Sequence, residues 1–428
     1  YKRQPQDPAM NSSAPPRPAD QRLLSLDVFR GMTVAGMILV NTPGSWSHVY
    51  PPLLHAEWNG CTPTDLVFPF FLFIVGVAIP LALGKRVERG DPRGAITRKI
   101  LSRTAIIFGL GLFLAAFPDF RLRESWEAWR PLHYLMLTVL MVSVVAREIL
   151  DQPQFAGARN TRQRRILGAL ALVAAAAMFV FGLFAYDFSH LRIPGVLQRI
   201  AIVYGVCSLL YLVAGWRTWL WTGVGLLLGY WAAMTLLPVP GTGVPSLEPG
   251  ADLGAWIDRT VLGTEHLWSQ SRTWDPEGLF STLPAIGTGI LGMLVGAWIR
   301  RRDDDYRMLT GLLATGAILV AMGLAWNPWF PINKSLWTSS YVVYTCGIAM
   351  LVLGVVYWLV DVLGRRSWIG PFRVFGVNPL FAYALSIVLA KLAFRIRWQV
   401  GDETVTLYAW LHRTLFASWL SPNNASLA

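Results

Sequence analysis

Charge is scarce in this sequence. Only 14% of its 428 residues are Asp, Glu, Lys or Arg, against about 25% in an ordinary soluble protein. That deficit excludes a soluble globular chain of this size. Cysteine is scarce as well: Cys61, Cys207 and Cys346 are the only three. Their spacing suits no metal site, and two fall inside apolar runs, which argues against a disulfide framework. No cleavable signal peptide is expected in the first apolar run, because it carries Asp27 and Arg30 and ends without a small-residue cleavage site. No clear internal repeat is visible either.

What the sequence has is hydrophobic length. Apolar residues make up 54% of it and gather in long runs, and about 20 consecutive apolar residues let a helix cross a bilayer. The fold class is therefore an all-α integral membrane protein. Eleven transmembrane helices are expected, at 24–42, 64–84, 99–117, 132–149, 165–185, 194–214, 217–237, 277–299, 306–325, 336–360 and 373–395. With the N-terminus in the cytoplasm, the segments on that side after Met10 hold 21 Lys and Arg, against 10 on the longer opposite side. Basic residues mark cytoplasmic loops, so this orientation is expected. The net charge of +12 then reads as a topology signal and not as a nucleic-acid surface. Many of the 20 tryptophans sit near helix ends, as interfacial belts do.

Three regions follow. Residues 1–21 are expected to lie outside the fold: YKRQPQDPA precedes Met10 and reads as an appended remnant, and 11–21 are Pro/Ser/Ala-rich, a disordered composition. Residues 22–396 form the membrane domain, with a long outer loop at 238–276 opening on PVPGTGVP. Residues 397–428, including TVTLYAWLHRTLFASWL at 404–420, read as an interfacial segment, and a further helix is expected beyond Ala428.

Ionisable groups at membrane depth cost roughly 2.5–3.5 kcal/mol each and are functional suspects. Asp27, Arg30, Arg103 and Asn378 fall near the cytoplasmic face. Asp27 and Arg30, at i and i+3, share a helix face; they form either a structural ion pair or the wall of a polar cavity for an anionic ligand. Near the outer face fall Asn41, His55, Glu57, Asn59, Asp65, Gln198, Arg199, Asn333 and Lys334. The plain reading of Asp65 is a first-turn carboxylate, with Thr64 as helix cap. His48, His190 and His412 read as solvated side chains.

Seven segments in register carry a resemblance: SLDVFRG (25–31), LVN (39–41), HAEWNGCTPTDLVFPFFLFIVG (55–76), LRIPGVLQRI (191–200), LPVPG (237–241), DPEGL (275–279) and NKSLWTSSYV (333–342). Together they resemble the transmembrane heparan-α-glucosaminide N-acetyltransferase family and its bacterial relatives, some of which bear the label of N-acetylglucosamine transporters. Residues 121–186 depart from the family pattern, with a helical pair (about 131–186) read as an insertion. The resemblance implies transfer of acetyl from cytosolic acetyl-CoA, a co-substrate, to the amine of glucosamine or a glucosamine-containing glycan beyond the membrane. It implies a place in the bacterial inner membrane among lipids, no nucleic-acid partner, and a homodimer. His55 matches the family's active-site histidine, Asn41 the asparagine before the loop, and Asn59 the motif asparagine. Glu57 matches nothing.

The chemistry fits these residue types. A protonated amine cannot attack a thioester, and a histidine with an ordinary pKa near 6.5 can take its proton. An amide such as that of Asn41 can stabilise the oxyanion. Alternatively the imidazole itself carries the acetyl group. The expected roles are then catalytic for His55 and Asn41; CoA-binding for Arg30, Arg103 and Asn378; and substrate-binding for Asn59, Asp65, Arg199, Lys334 and Trp337. Trp58 and Trp268 are further stacking surfaces for a sugar, and Arg199 or Lys334 is a partner for Asp65. No metal is called for. The rival is an amino-sugar transporter, but such folds show repeats and broken helices around a midplane site, whereas these polar residues gather at the two faces.

Overall fold

A computed structural model describes residues 23–150, 158–301 and 304–428; the expected tail at 1–21 lies outside them. The spanning helices in chain order are α1 (Leu24–Asn41), α2 (Pro63–Glu88), α3 (Arg93–Ala116), α4 (Arg130–Leu150), α5 (Ala158–Ala185), α6 (Val196–Val213) and α7 (Trp216–Leu236). After the short α8 (Leu253–Leu262) of the outer loop come α9 (Thr282–Arg300), α10 (Asp305–Trp326) and α11 (Ser339–Tyr357), the last extended by a π turn through Val362. Among the described residues, ten helices are long and apolar enough to cross a membrane. The eleventh expected span, 373–395, is not one straight helix. It is α12 (Gly370–Val377) followed by α13 (Pro379–Arg395), bent by 93°. Pro379 explains the break, since the residue before a proline is driven out of the helical region; that residue is Asn378, at φ −127° and ψ 64°. The chain is a multi-pass membrane protein.

The predicted alternation of the spans recurs in the loop contacts. Segments assigned to one side meet each other: Ile193 N–H donates to His266 O at 3.0 Å, Gly60 N–H to Ile332 O at 2.7 Å, and Arg395 pairs with Asp119 at 3.0 Å. At the opposite end Ser25 N–H donates to Asp361 at 3.0 Å, and Arg300 pairs with Glu88.

Burial separates centre from rim: 72% of the α9 span is buried inside the protein, but only 17% of the α5 span. The centre is made by close backbone approach. A methyl placed on Gly76 of α2 would lie 2.1 Å from Gly289 O of α9, and one on Gly292 would lie 2.1 Å from Phe73 O. Lipid gives helices no hydrophobic reason to associate, so small residues that admit tight packing carry the contact. The α4–α5 pair packs chiefly on itself, at the rim.

The C-terminal segment is built of several short elements. It holds a hairpin of β1 (Arg397–Val400) and β2 (Glu403–Thr406), then the short α14 (Leu407–Leu411) and α15 (Pro422–Leu427). It braces the loop after α1: Tyr408 OH donates to Pro43 O at 2.7 Å, Gly44 N–H to Ser426 O at 2.8 Å, and Tyr50 OH to Asn424 at 2.6 Å.

Candidate active site

The loop between α1 and α2 carries His55 and is closed by its own helix start. The capping residue of α2 is Thr62, not Thr64, and Pro63 opens the first turn, where its missing N–H costs nothing. Asp65 is buried at this start. Its Oδ2 accepts the backbone N–H groups of Thr62 and Ala56, both at 3.1 Å, and its Oδ1 lies 2.6 Å from His55 Nδ1. The first-turn carboxylate and the site carboxylate are thus one group, with one oxygen for each duty.

An ionised carboxylate only accepts hydrogen bonds. The proton of a neutral His55 is therefore held on Nδ1, and Nε2 keeps its lone pair. Lys334 arrives from the loop between α10 and α11. Its Nζ lies 3.0 Å from His55 Nδ1, 3.3 Å from Nε2 and 3.5 Å from Asp65 Oδ1. Burial holds the Lys334 ammonium below the usual lysine range, against the attraction of Asp65 and Glu277. The Asp65 carboxylate is buried, while the His55 side chain is 50% exposed, so the imidazole is anchored from below and open from above. Cys61 is beside this cluster, but burial and the Asp65 charge push its thiol up to about 12, which leaves it protonated and poorly nucleophilic at neutral pH.

The two loops are stitched together. Asn333 Nδ2 donates to Asn59 Oδ1 at 3.2 Å, while Asn333 Oδ1 accepts from Leu336 N–H at 2.9 Å. Gly60, at φ +111°, makes the turn that a residue with a Cβ resists. Trp58 Nε1–H donates to Leu247 O at 3.0 Å, tying the site to the outer loop.

Several expected residues sit elsewhere. Trp337 is 1% exposed. Phe68 and Tyr341 pack edge-on against it, and the Arg199 guanidinium covers its ring at 4.9 Å. It has no face left for a sugar and is a core residue. It has a positive φ of 52°, the turn through which Trp337 N–H bonds Lys334 O at 3.0 Å. Arg199 does not pair with Asp65; it is buried and donates through Nη2 to Gly278 O and Ser281 Oγ. Asn41 ends α1 exposed and makes no hydrogen bond to His55, Asp65 or Lys334. Asn59 braces the loop. His190 pairs with Glu265, so it is not simply solvated.

The three residues expected to meet CoA do not form one cluster. Arg30 bonds Asp27 at 3.1 Å and Gly376 O at 3.3 Å, which places it at the corner of α1 and α12 near Asn378. Arg103 of α3 instead lies over the Tyr204 ring of α6, at 5.1 Å. The α2 and α9 backbones touch at Gly76 and Gly289, at Phe73 and Gly292, and at Val77 and Gly296.

Sequence reasoning missed an ion-pair network and a cavity. Arg192 Nη2 lies 2.6 Å from both Asp275 Oδ1 and Glu277 Oε2; the segments LRIPG and DPEGL contain all three, but hydropathy cannot show that they meet. A cavity of about 790 Å³ opens at the same end, lined in part by Gln198, Trp268 and Lys391; His55, Asp65 and Lys334 are not in its wall. Lys391, a cation inside the last predicted helix, was the available sequence signal.

Residues 22–157 match the model of a family described as "Heparan-alpha-glucosaminide N-acetyltransferase, catalytic". That span includes α4, one of the two helices expected to be an insertion. The chain is 29% identical to the Heparan-alpha-glucosaminide N-acetyltransferase of Homo sapiens over 92% of this chain and 56% of the relative. It is 27% identical to the protein of that name from Mus musculus, over 90% of this chain and 56% of the relative. It therefore spans about half the length of the curated relatives it matches. By this match and these two likenesses, the chain is similar to the heparan-α-glucosaminide N-acetyltransferases, with residues 22–157 matching their catalytic model.

Proposed function

We propose that the chain is an acetyltransferase of the bacterial inner membrane, moving acetyl from cytosolic acetyl-CoA to the amine of glucosamine or a glucosamine-containing glycan on the outer side. The observation that carries this reading is the geometry of His55, Asp65 and Lys334. Asp65 holds the Nδ1 proton at 2.6 Å and offsets the charge of the imidazolium that forms. Nε2 takes a proton from the substrate ammonium, and the free amine attacks the thioester carbonyl. The tetrahedral oxyanion is stabilised by the Lys334 ammonium, 3.3 Å from Nε2, or by Asn41 from the end of α1. Collapse expels the CoA thiolate, which takes up one proton; the second proton lost by the amine goes to solvent. Direct transfer in a ternary complex is favoured over an acetyl-histidine, because the aspartate-held tautomer is the one a base requires. Arg30 and Asn378, at the inner corner of α1 and α12, are the candidate contacts for CoA phosphates, with Arg103 separate on α3.

The test is purified protein in detergent with labelled acetyl-CoA and glucosamine. The expected result is free CoA and N-acetylglucosamine from wild type, and neither from His55→Ala, which still binds CoA. Wild type that transfers nothing but moves N-acetylglucosamine into liposomes would instead establish a transporter.

A further inference from the structure

The outer end carries a second cavity beside the polar one. It is apolar, about 350 Å³, and walled by residues such as Phe113, Leu140, Ala175, Met178 and Leu183. The two cavities share Ala116, Phe120, Tyr186, Phe188 and Leu191 as a common wall. Their depths differ. The apolar slot follows α3, α4 and α5 inward from their outer ends; Ala175 lies ten residues before the end of α5 at Ala185, about 15 Å down at 1.5 Å per residue. The polar cavity lies among the helix ends and loops, walled by Arg192, Arg272 and Lys391. The Lys391 ammonium donates to two carbonyls, Leu114 O at 2.6 Å and Phe117 O at 2.9 Å. A polar chamber among the helix ends that shares a wall with an apolar slot along the helices matches one kind of small molecule, a polar head on a hydrocarbon chain.

We propose that the acceptor is lipid-anchored: an amino sugar carried on a hydrocarbon chain, with the chain in the slot between α3 and the α4–α5 pair and the sugar seated against the polar cavity, its amine directed out of it toward His55. The inference rests on the acetyltransferase reading above. The cavity reaches toward the reacting corner through a file of rings: Trp268 in its wall packs against Trp274 at 5.4 Å, and Trp274 against Trp58 at 5.2 Å, three positions after His55. It also gives the rim pair α4–α5 a purpose, because these helices add little to the central core. Lipid is as apolar as the slot, so the chain gains little by transfer. Its benefit is a sugar held at high local concentration in one orientation.

The experiment compares glucosamine with decyl β-glucosaminide as acceptors of acetyl from acetyl-CoA in nanodiscs, for wild type and Ala175→Trp. Ala175 is exposed on the rim helix, so the indole fills the slot and spares the core. Partitioning of the decyl chain into the bilayer is the same for both proteins. The expected result is a kcat/KM at least tenfold higher for the decyl acceptor in wild type. Ala175→Trp should lose most of that preference at an unchanged rate on glucosamine. A second arm uses a decyl glucosaminide with a photoreactive diazirine on the chain, expected to label residues 175–183 and to be competed by decyl glucosaminide but not by phosphatidylethanolamine. Equal preference in the two proteins, or equal competition by the phospholipid, overturns the lipid-anchored acceptor. Failure to acetylate either acceptor overturns the acetyltransferase reading, while the labelling arm still decides the slot.

Discussion

Asp65→Asn separates the two duties of one carboxylate. The amide keeps the shape of the side chain, and its oxygen can still accept from Thr62 and Ala56 N–H, so the start of α2 should hold. What is lost is the charge 2.6 Å from His55 Nδ1. A hydrogen bond to a charged group is worth about 1.5–3 kcal/mol, and each 1.4 kcal/mol is about tenfold in rate. The imidazole is half exposed, which screens part of that, so the lower half of the range applies: a fall in kcat of about 10- to 50-fold. The assay is release of CoA thiol with saturating acetyl-CoA and glucosamine. The thermal midpoint in detergent is measured beside it. Asp65→Ala should lose the same activity and also stability, by about 0.5–2 kcal/mol, as lost caps do. An Asp65→Asn protein with unchanged kcat, or one that loses activity only in step with its folding, would refute the assignment of this carboxylate to the histidine.

Lys334→Met removes the ammonium beside the ring and should lower kcat about 10- to 100-fold, with the KM for acetyl-CoA little changed; stopped turnover with intact CoA binding is the readout. Trp337→Ala should destabilise by about 3–5 kcal/mol, as buried aromatics do, seen as a lower thermal midpoint; loss of sugar affinity at unchanged stability would contradict its core role. Asp258, 3% exposed in the outer loop, has its carboxyl raised from 3.8 to about 7, first by burial and also by Asp275. The native state therefore keeps a proton that the unfolded chain has released, and stability falls as pH rises from about 4 to 7. Asp258→Asn should flatten that slope and gain on the order of 2–4 kcal/mol above pH 7, read from thermal midpoints across pH.

Much of the candidate site was legible because its residues lie in short segments. His55 and Asp65 are ten positions apart, and local rules for a helix start already placed a carboxylate there. Lys334 was legible only as a charge near the outer face. The errors were of one kind. Trp337 and Arg199 have residue types that suit a sugar site, and nothing in their neighbours announces that they stack on each other in the core. Arg192 was overlooked because its partners Asp275 and Glu277 are more than 80 positions away.

The amino-acid sequence alone determined the class of the protein and ten of the eleven spans expected from it. Hydrocarbon admits only long apolar segments whose backbone bonds are met internally, and that demand is written residue by residue. The break at Asn378 also lay in plain sight, in the proline after it. Which side chains meet was decided only by tertiary structure. A lysine 279 positions from a histidine is brought to it by helices packed glycine to backbone, and a proton is held on one ring nitrogen because a buried carboxylate ends up beneath it. Such pairings depend on the summed packing of many helices, and no local stretch of chain contains that sum.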